Sequence, residues 1–481
     1  MSKFSWGKRA YAVCLLCATT AIALPAQTFT TLHSFDGTDG EHAISTLVQA
    51  ANGNLYGTTV DGGANGSGTV FKITPSGTLA MLYSFCSQSG CADGQYPAAG
   101  LVQATNGYLY GTTDSGGALG FGGTVFRITP SGTLTTIHSF CSQSGCTDGA
   151  NPDAALVQAT NGNLYGTTTA GGVNGSGTVF MMTPSGSLTT LYSFCSQSDC
   201  PDGSFPNAAL LQATDGNFYG TTFVGGVEGE GTVFKITPSG TLTTLYSFCS
   251  QGYPSCTDGS NPYAGLVQAT NGYLYGTTVT GGDLGAGTVF RITPGGTLTT
   301  LYSFCSQSGC TDGYNPYAGL VQATDGSFYG TTYGYGADAG GTVFKITPSG
   351  MLTTLYSFCS QSGCRDGSVS HGLVQDTDGN FYGTTYAGGA YGDGTVFSLS
   401  VGLGPFVETQ PTSGKVGTAV RILGTSLTGA TSVTFNGTAA VFTVEGSSIV
   451  TRVPVGATTG TVQVTAPYGT LSSNVPFRVI P

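Results

Sequence analysis

The tetrapeptide Tyr-Gly-Thr-Thr starts at Tyr56, Tyr110, Tyr165, Tyr219, Tyr275, Tyr329 and Tyr382, at intervals of 54, 55, 54, 56, 54 and 53 residues. A fixed period means that one structural unit is copied and stacked, because a single copy cannot bury its own apolar face. Each period holds four strand-like pieces. In the second copy they are Gly100–Ala104, Tyr108–Thr113, Gly123–Thr129 and Leu134–Phe140, all bounded by Gly, Asn, Pro or Ser. No stretch sustains a 3.6-residue apolar period.

Four antiparallel strands per copy in seven copies predict a β-propeller rather than a solenoid, whose rungs are usually shorter. The ends of the array favour a ring. The seventh copy stops after its third strand, near Thr395–Ser400, and a spare fourth-strand sequence stands in front of the first copy at Thr28–Phe35. Pairing the two closes the ring and removes an exposed edge. The meander then puts tight turns such as Thr105-Asn106-Gly107 on one face. The other face carries two longer loops per copy: a Gly-rich one such as Gly171–Gly177, and the interblade loop. Long loops on a rigid scaffold are where binding usually resides, so that face is the candidate site.

Composition narrows the function. Charged residues are 8% of the chain and Gly is 79 of 481, which suits turn-rich β structure and not long helices. Lys3, Lys8 and Arg9 precede the mostly apolar run Tyr11–Leu24, so residues 1–26 are expected to be a signal peptide. Losing it removes three of 13 basic residues and none of 24 acidic ones, leaving a net charge of −14. Nucleic acid and anionic membranes are poor partners for such a chain. No later stretch is long and apolar enough to span a bilayer, so the mature chain is expected to be secreted, extracellular or at the cell surface, or periplasmic.

Twelve of the 14 cysteines pair locally in six interblade loops: Cys86 with Cys91, Cys141 with Cys146, Cys195 with Cys200, Cys249 with Cys256, Cys305 with Cys310, and Cys359 with Cys364. In an exported chain these read as disulfides, each pinning its own loop. His is too scarce to complete metal sites beside them. An Asp-Gly pair recurs in all seven interblade loops, at Asp39, Asp93, Asp148, Asp202, Asp258, Asp312 and Asp366. Seven identical positions suit a turn in which Asp bonds to the backbone. The sharper alternative is a ring of carboxylates that binds Ca²⁺ or sugar hydroxyls. Aromatic residues decorate the same face irregularly, at Tyr96, Phe121, Phe205, Phe223, Tyr263, Tyr317, Tyr333, Tyr335, Tyr386 and Tyr391. They could stack on sugars or anchor a protein, or pack between blades.

Catalytic signals are sparse. His33, His42, His138 and His371 form no Ser/His/Asp or Cys/His arrangement, and His33 and His138 stand where other copies have Tyr. Glu228 and Glu230 share one Gly-rich loop, where neighbouring acids are usually solvated. Lys72, Arg127, Lys235, Arg291 and Lys345 recur in the third strand, as a solvated rim would.

After Ser400 the composition shifts to a cysteine-free segment with a hairpin signal at Asn436-Gly437. Pro411-Thr412-Ser413-Gly414, Gly417, Gly424-Thr425-Ser426-Leu427, Val433–Thr438 and Val453–Ala457 resemble an IPT/TIG immunoglobulin-like domain. The repeats resemble the bacterial choice-of-anchor GloVer tandem-repeat family through Leu-Tyr-Gly-Thr-Thr, Gly-Gly and the Gly68–Pro75 motif. That resemblance implies a bacterial surface or secreted protein and brings no catalytic residues. The expected architecture is all-β: signal peptide 1–26, a seven-bladed propeller 27–402, and an IPT/TIG sandwich 403–481. The expected role is noncatalytic binding or adhesion to extracellular glycan or a surface protein, with no cofactor. An enzyme acting on polysaccharide or glycosidic antibiotics, with chemistry from Asp/Glu on the loop face, is the second expectation; the last copy, with Arg365, Asp366 and His371, departs most from its siblings, though too little to form a catalytic set. A structural envelope protein is the third.

Overall fold

The computed structural model describes residues 27–480; the expected signal peptide (1–26) and Pro481 lie outside the described residues. The seven copies form seven four-stranded antiparallel sheets in a propeller-like arrangement. In the second copy the strands run in order as Val102–Gln103, Leu109–Thr113, Thr124–Ile128 and Leu134–Ser139. The first of these is two residues long, shorter than the sequence suggests. Its lead-in is shared: Gln95 bridges Ser115 of its own copy, while the Tyr96 N–H and the Ala99 carbonyl bond to the preceding copy.

Each residue of the repeated tetrapeptide has its own task. The Tyr hydroxyl bonds to an Asn or Asp in the preceding tight turn, as Tyr110 does with Asn106 (2.8 Å) and Tyr382 with Asp378 (2.8 Å). The Gly leaves room for a Phe of the third strand. A Cβ at Gly111 would lie 2.5 Å from the Phe126 ring and 2.6 Å from Leu101. The first Thr reaches the next sheet and the second bonds within its own, as Thr113 does with Thr124 (2.9 Å).

Three sets of hydrogen bonds tie each sheet to the next. The first Thr hydroxyl donates to a lead-in carbonyl of the following copy, at 2.9–3.2 Å. A Gln at the end of each inner strand accepts a backbone N–H from the preceding copy, at 2.7–3.2 Å. On the long-loop side, a lead-in N–H donates to a carbonyl in the preceding Gly-rich loop, at 2.8–3.1 Å. Each set includes one bond joining the first copy to the last: Thr384 Oγ1 to the Ser45 carbonyl, Thr377 N–H to Gln49 Oε1, and His42 N–H to the Asp393 carbonyl.

The spare strand, Thr28–Ser34, pairs antiparallel with Thr395–Ser400 and completes the last sheet. Phe29 stacks on Tyr356 of the sixth sheet, with centroids 3.9 Å apart. Apolar clusters lie between consecutive sheets. Val70 and Phe85 pack with Leu101 and Phe126, and Phe35, Tyr382 and Val396 pack with Leu47 and Phe71 across the first and last copies. Each buried Phe contributes roughly 1.5–3 kcal/mol by leaving water.

The tail forms two further four-stranded sheets around Val420, Ile422, Phe435, Ile449, Val464 and Phe477. It sits on the tight-turn face. Ser447 Oγ donates to the Ala51 carbonyl (3.0 Å), and the Phe406 N–H donates to the Thr377 carbonyl (3.0 Å). Two clefts flank this contact. One of about 580 Å³ is lined by Gln103, Asn106 and Arg421, and one of about 730 Å³ by Gln212, Gln268 and Arg478.

Candidate functional site

All six local cysteine pairs are disulfides: Cys86 with Cys91, Cys141 with Cys146, Cys195 with Cys200, Cys249 with Cys256, Cys305 with Cys310, and Cys359 with Cys364. They do more than pin their own loops, which is all that their spacing suggests. The carbonyl of the second cysteine accepts the N–H of a Gly in the adjoining Gly-rich loop. Cys91 accepts from Gly117 (2.9 Å), Cys146 from Gly172 (2.9 Å) and Cys200 from Gly226 (2.9 Å). Cys256 accepts from Gly282 (2.8 Å), Cys310 from Gly336 (3.1 Å) and Cys364 from Gly389 (2.9 Å). The two long loops of each copy are therefore clamped together. The sequence hides this because the contact uses backbone atoms and not the sulfurs. In the first copy the Gly37 carbonyl plays the same part toward Gly63 without a disulfide (2.8 Å).

The recurring carboxylates point into their own loops. Asp93, Asp148, Asp312 and Asp366 are buried to within 1% of complete, and Asp202 and Asp258 to within 5%. Asp312 Oδ2 accepts the Tyr302 hydroxyl (2.7 Å), the Ser306 N–H (3.0 Å) and the Ser306 hydroxyl (3.1 Å). Where Tyr is replaced, His33 and His138 serve instead, at 2.6 Å from Asp39 and 3.3 Å from Asp148. For Asp93, burial raises the carboxyl's pKa, but hydrogen bonds from Tyr83, Ser87 and Gln88 outweigh it and hold the group below its ordinary value. Burial and the bond to Asp258 push the Tyr246 phenol up to about 12. These seven positions anchor turns.

The remaining polar candidates scatter. Arg127 and Arg291 lie over the rings of Tyr108 and Tyr273, and Lys345 pairs with Asp325 (2.7 Å), all on the sheets. Glu228 is exposed on its loop and Glu230 half-buried. Asp366 is held by Tyr356 and Ser360, so the last copy does not assemble Arg365, Asp366 and His371 into one cluster. Among the described residues, no group of three or more His, Cys, Asp or Glu side chains could hold a metal ion. No helix among them is long and apolar enough to cross a membrane.

Two positions per copy are not uniform, and they meet at the centre of the long-loop face. One directly follows the tetrapeptide; the other follows the lead-in Pro of copies two to six, or Ala43 and Ser370 in its place in the first and last. On one side they form an aromatic arc: Phe223 and Tyr263 (5.9 Å between centroids), Tyr263 and Tyr317 (5.4 Å), Tyr317 and Tyr333 (5.3 Å). Tyr263 is 37% and Tyr333 44% exposed, and Tyr317 is half-buried. His371 lies 6.4 Å beyond Tyr333, where burial pushes its imidazole down to about 4. Tyr386 stacks on His42 (4.2 Å), which bonds to Asp61 (2.9 Å). Tyr96 and Phe205 lie outside this arc, at the lead-in position of positive φ that is Asn in three other copies. Phe121, Tyr335 and Tyr391 are exposed in the Gly-rich loops.

On the other side of the centre stand Asp114 and Asp153, which sequence reasoning missed. Asn151 Nδ2 donates to Asp114 Oδ1 (3.1 Å), Ser115 Oγ to Asp114 Oδ2 (2.6 Å), and Thr169 Oγ1 to Asp153 Oδ2 (3.5 Å). Asn151, whose carbonyl accepts from Thr169 Oγ1 (2.9 Å), joins the two carboxyls in one network. Burial and then Asp114 push Asp153 up to about 8. The signal was in the sequence: at the position after Tyr-Gly-Thr-Thr, one copy has Asp114 where others have Thr169, Phe223 or Tyr333.

The Gloeobacter/Verrucomicrobia repeat matches this chain over residues 19–201, 91–256 and 251–441. The chain belongs to that repeat family. No curated protein matches it. The extracellular domain of a hybrid two-component system from B. thetaiotaomicron is similar in fold, at 12% identity and a TM-score of 0.50. The match covers 85% of this chain and 45% of that one, so the repeat protein spans less than half of its length. A one-component-system extracellular domain from the same organism gives 12% identity, a TM-score of 0.48, and coverage of 92% and 52%. A 6-phosphogluconolactonase-like structure from Bacteroides uniformis gives 16%, 0.45, and coverage of 69% and 88%. The last two are too distant to argue from.

Proposed function

We propose that this repeat protein is an exported, noncatalytic recognition module, a closed seven-bladed propeller whose long-loop face binds extracellular glycan. Closure is supported by the three sets of hydrogen bonds that each run from the last copy back to the first, and by the strand Thr28–Ser34. The tail, two sheets around one core, fits an IPT/TIG-type immunoglobulin-like domain over residues 403–481. Six disulfides suit an oxidising compartment, which agrees with removal of a signal peptide and release to the cell surface or beyond.

The observation that carries the reading is the aromatic arc Phe223–Tyr263–Tyr317–Tyr333. Its rings, with the Tyr263 and Tyr333 phenols exposed, sit on a rigid scaffold, offering flat apolar area with a polar edge, the combination that sugar rings need. The recurring carboxylates already hold their loops, so stacking and peripheral hydrogen bonds are what the face offers.

Binding of the mature chain to a panel of extracellular polysaccharides tests this. Saturable binding without product release is expected, lost in the Y317A/Y333A double variant while the melting temperature stays close to that of the parent. Binding should survive a chelator, because the Asp carboxylates are internally bonded. No binding to any glycan sinks the proposal, and chelator-sensitive binding would return the Asp ring to the role of ligand.

A further inference from the structure

The centre of the long-loop face has two chemically different halves. Copies four to six supply the arc from Phe223 to Tyr333; copies two and three supply Asp114 and Asp153. The halves occupy the same two repeat positions: Asp114 follows the tetrapeptide as Phe223 and Tyr333 do, and Asp153 follows the lead-in Pro as Tyr263 and Tyr317 do. Burial first, then Asp153 and Asp114, push the Tyr263 phenol up. No basic side chain answers the acids. Of the ten Lys and Arg beyond the signal peptide, five lie on third strands, Arg365 lies on an exposed interblade loop, and four belong to the tail on the opposite face. Asn151, Ser115 and Thr169 fix the carboxyls without neutralising them.

Two neighbouring carboxyls with no basic partner form an acidic patch. An acidic patch beside tyrosine faces is complementary to an ammonium group, which gains both the ion pair and the attraction of the ring faces.

We propose that the site selects an amino sugar carrying a free, protonated amine, the ammonium resting on Asp114 and Asp153 and the pyranose ring lying on Tyr263, Tyr317 and Tyr333. This rests on the glycan-binding reading and adds the chemistry of the sugar. Neutral or N-acetylated glycans lack the charge, and anionic ones are repelled by the acids and by the chain's net charge.

The test is calorimetric binding of the mature protein to a fully de-N-acetylated glucosamine hexamer, its N-acetylated counterpart and a neutral β-glucan oligomer. The de-N-acetylated hexamer should bind at least about tenfold more tightly than either other oligomer, and the preference should weaken with salt. D114N/D153N keeps the shape and removes the charge; it should level the three affinities without loss of the folded state, judged by circular dichroism. Y317A/Y333A should weaken all three. Equal affinity for the oligomers, or a preference that survives D114N/D153N, overturns the inference and leaves glycan binding standing. A neutral glycan bound while the amine is ignored does the same. Oligolysine binding as tightly as the amino sugar, with equal dependence on Asp114 and Asp153, overturns the sugar assignment. Binding of none of the oligomers overturns the inference, and silence across the wider polysaccharide panel would remove the glycan reading with it.

Discussion

On the tight-turn face every copy contributes the same groups: an inner-strand Gln bonded to its neighbour's backbone, and an Asn or Asp bonded to the tetrapeptide Tyr. On the long-loop face the periphery is equally uniform, with Asp clamps and paired Gly and Cys loops, but the centre changes from copy to copy. The first face is covered in part by the tail, and the second keeps Tyr263 and Tyr333 exposed. Where seven copies agree, their polar groups are consumed in holding the array together. Where they differ, the scaffold does not need the side chain, and it is left free to meet something else.

The largest effect expected comes from the one place where the tight-turn face breaks its own rule. Asp376 stands where the other six copies have Ala, fully buried at the edge of the tail contact. Its Oδ1 accepts from Gln49 Nε2 (3.0 Å) and the Asp378 N–H (3.1 Å), while its Oδ2 has no partner. Burial, then Asp378 and more weakly Glu408, push it up to about 7; burial pushes Glu408 itself up to about 7. A carboxyl whose folded pKa exceeds its unfolded value near 3.8 favours the fold fully below pH 4. That contribution is lost as pH rises toward 7. Thermal unfolding followed from pH 4 to pH 8 should therefore show falling stability, with Asp376 responsible for up to about 4 kcal/mol. D376N should flatten part of the fall. Asp153 on the open face, pushed up to about 8, acts with the same sign, so D153N should remove a comparable part. A profile unchanged in D376N would break the claim that this buried acid strains the covered face.

Next in size is the contrast between a uniform and a variable residue of the long-loop face. D312A strips the acceptor from the Tyr302 hydroxyl and from two groups of Ser306 inside a closed loop. Leaving such donors unpaired costs about 3 kcal/mol. Y333A removes a ring that is already 44% exposed and should cost under about 1 kcal/mol in denaturant unfolding. For ligand binding the order should reverse, with Y333A the more damaging of the two among folded molecules. Equal stability losses would mean the centre is as much architecture as the clamps.

The repeat period, the four strands per copy, the six cysteine pairs and the pairing of Thr28–Phe35 with the last copy were legible in sequence, because periodic spacing and an extra strand copy are properties of order along the chain. The link between sheets was not. Gln103 is a two-residue step from Leu101 and looks like any polar strand residue, yet its acceptor role toward Ala51 exists only once two copies stand side by side. Asp114 and Asp153 lie 39 positions apart in chain order and become one pair for the same reason. The recurring Asp-Gly and the aromatic residues drew the eye to the right face. Within it, recurrence marked the turns, and departure from recurrence marked the centre.

The smallest effect concerns the first copy, whose interblade loop does without a disulfide. There Asp36 Oδ1 accepts from the Thr38 N–H (3.0 Å) and hydroxyl (2.7 Å), and Asp39 Oδ1 accepts from the Asp36 N–H (3.1 Å), so side chains close the loop. The Gly37 carbonyl still reaches Gly63 as the Cys310 carbonyl reaches Gly336. If the disulfide merely shortens the unfolded loop, C305S/C310S should lower unfolding free energy by roughly 2 kcal/mol, as chain entropy gives for so short a ring. Glycan affinity should not move, because the centre of the face is held by lead-in and Thr bonds that contain no sulfur. A loss of affinity on reducing this one bridge would show that the clamp positions Tyr317 and Tyr333, and that rim and centre of the long-loop face are one mechanical unit.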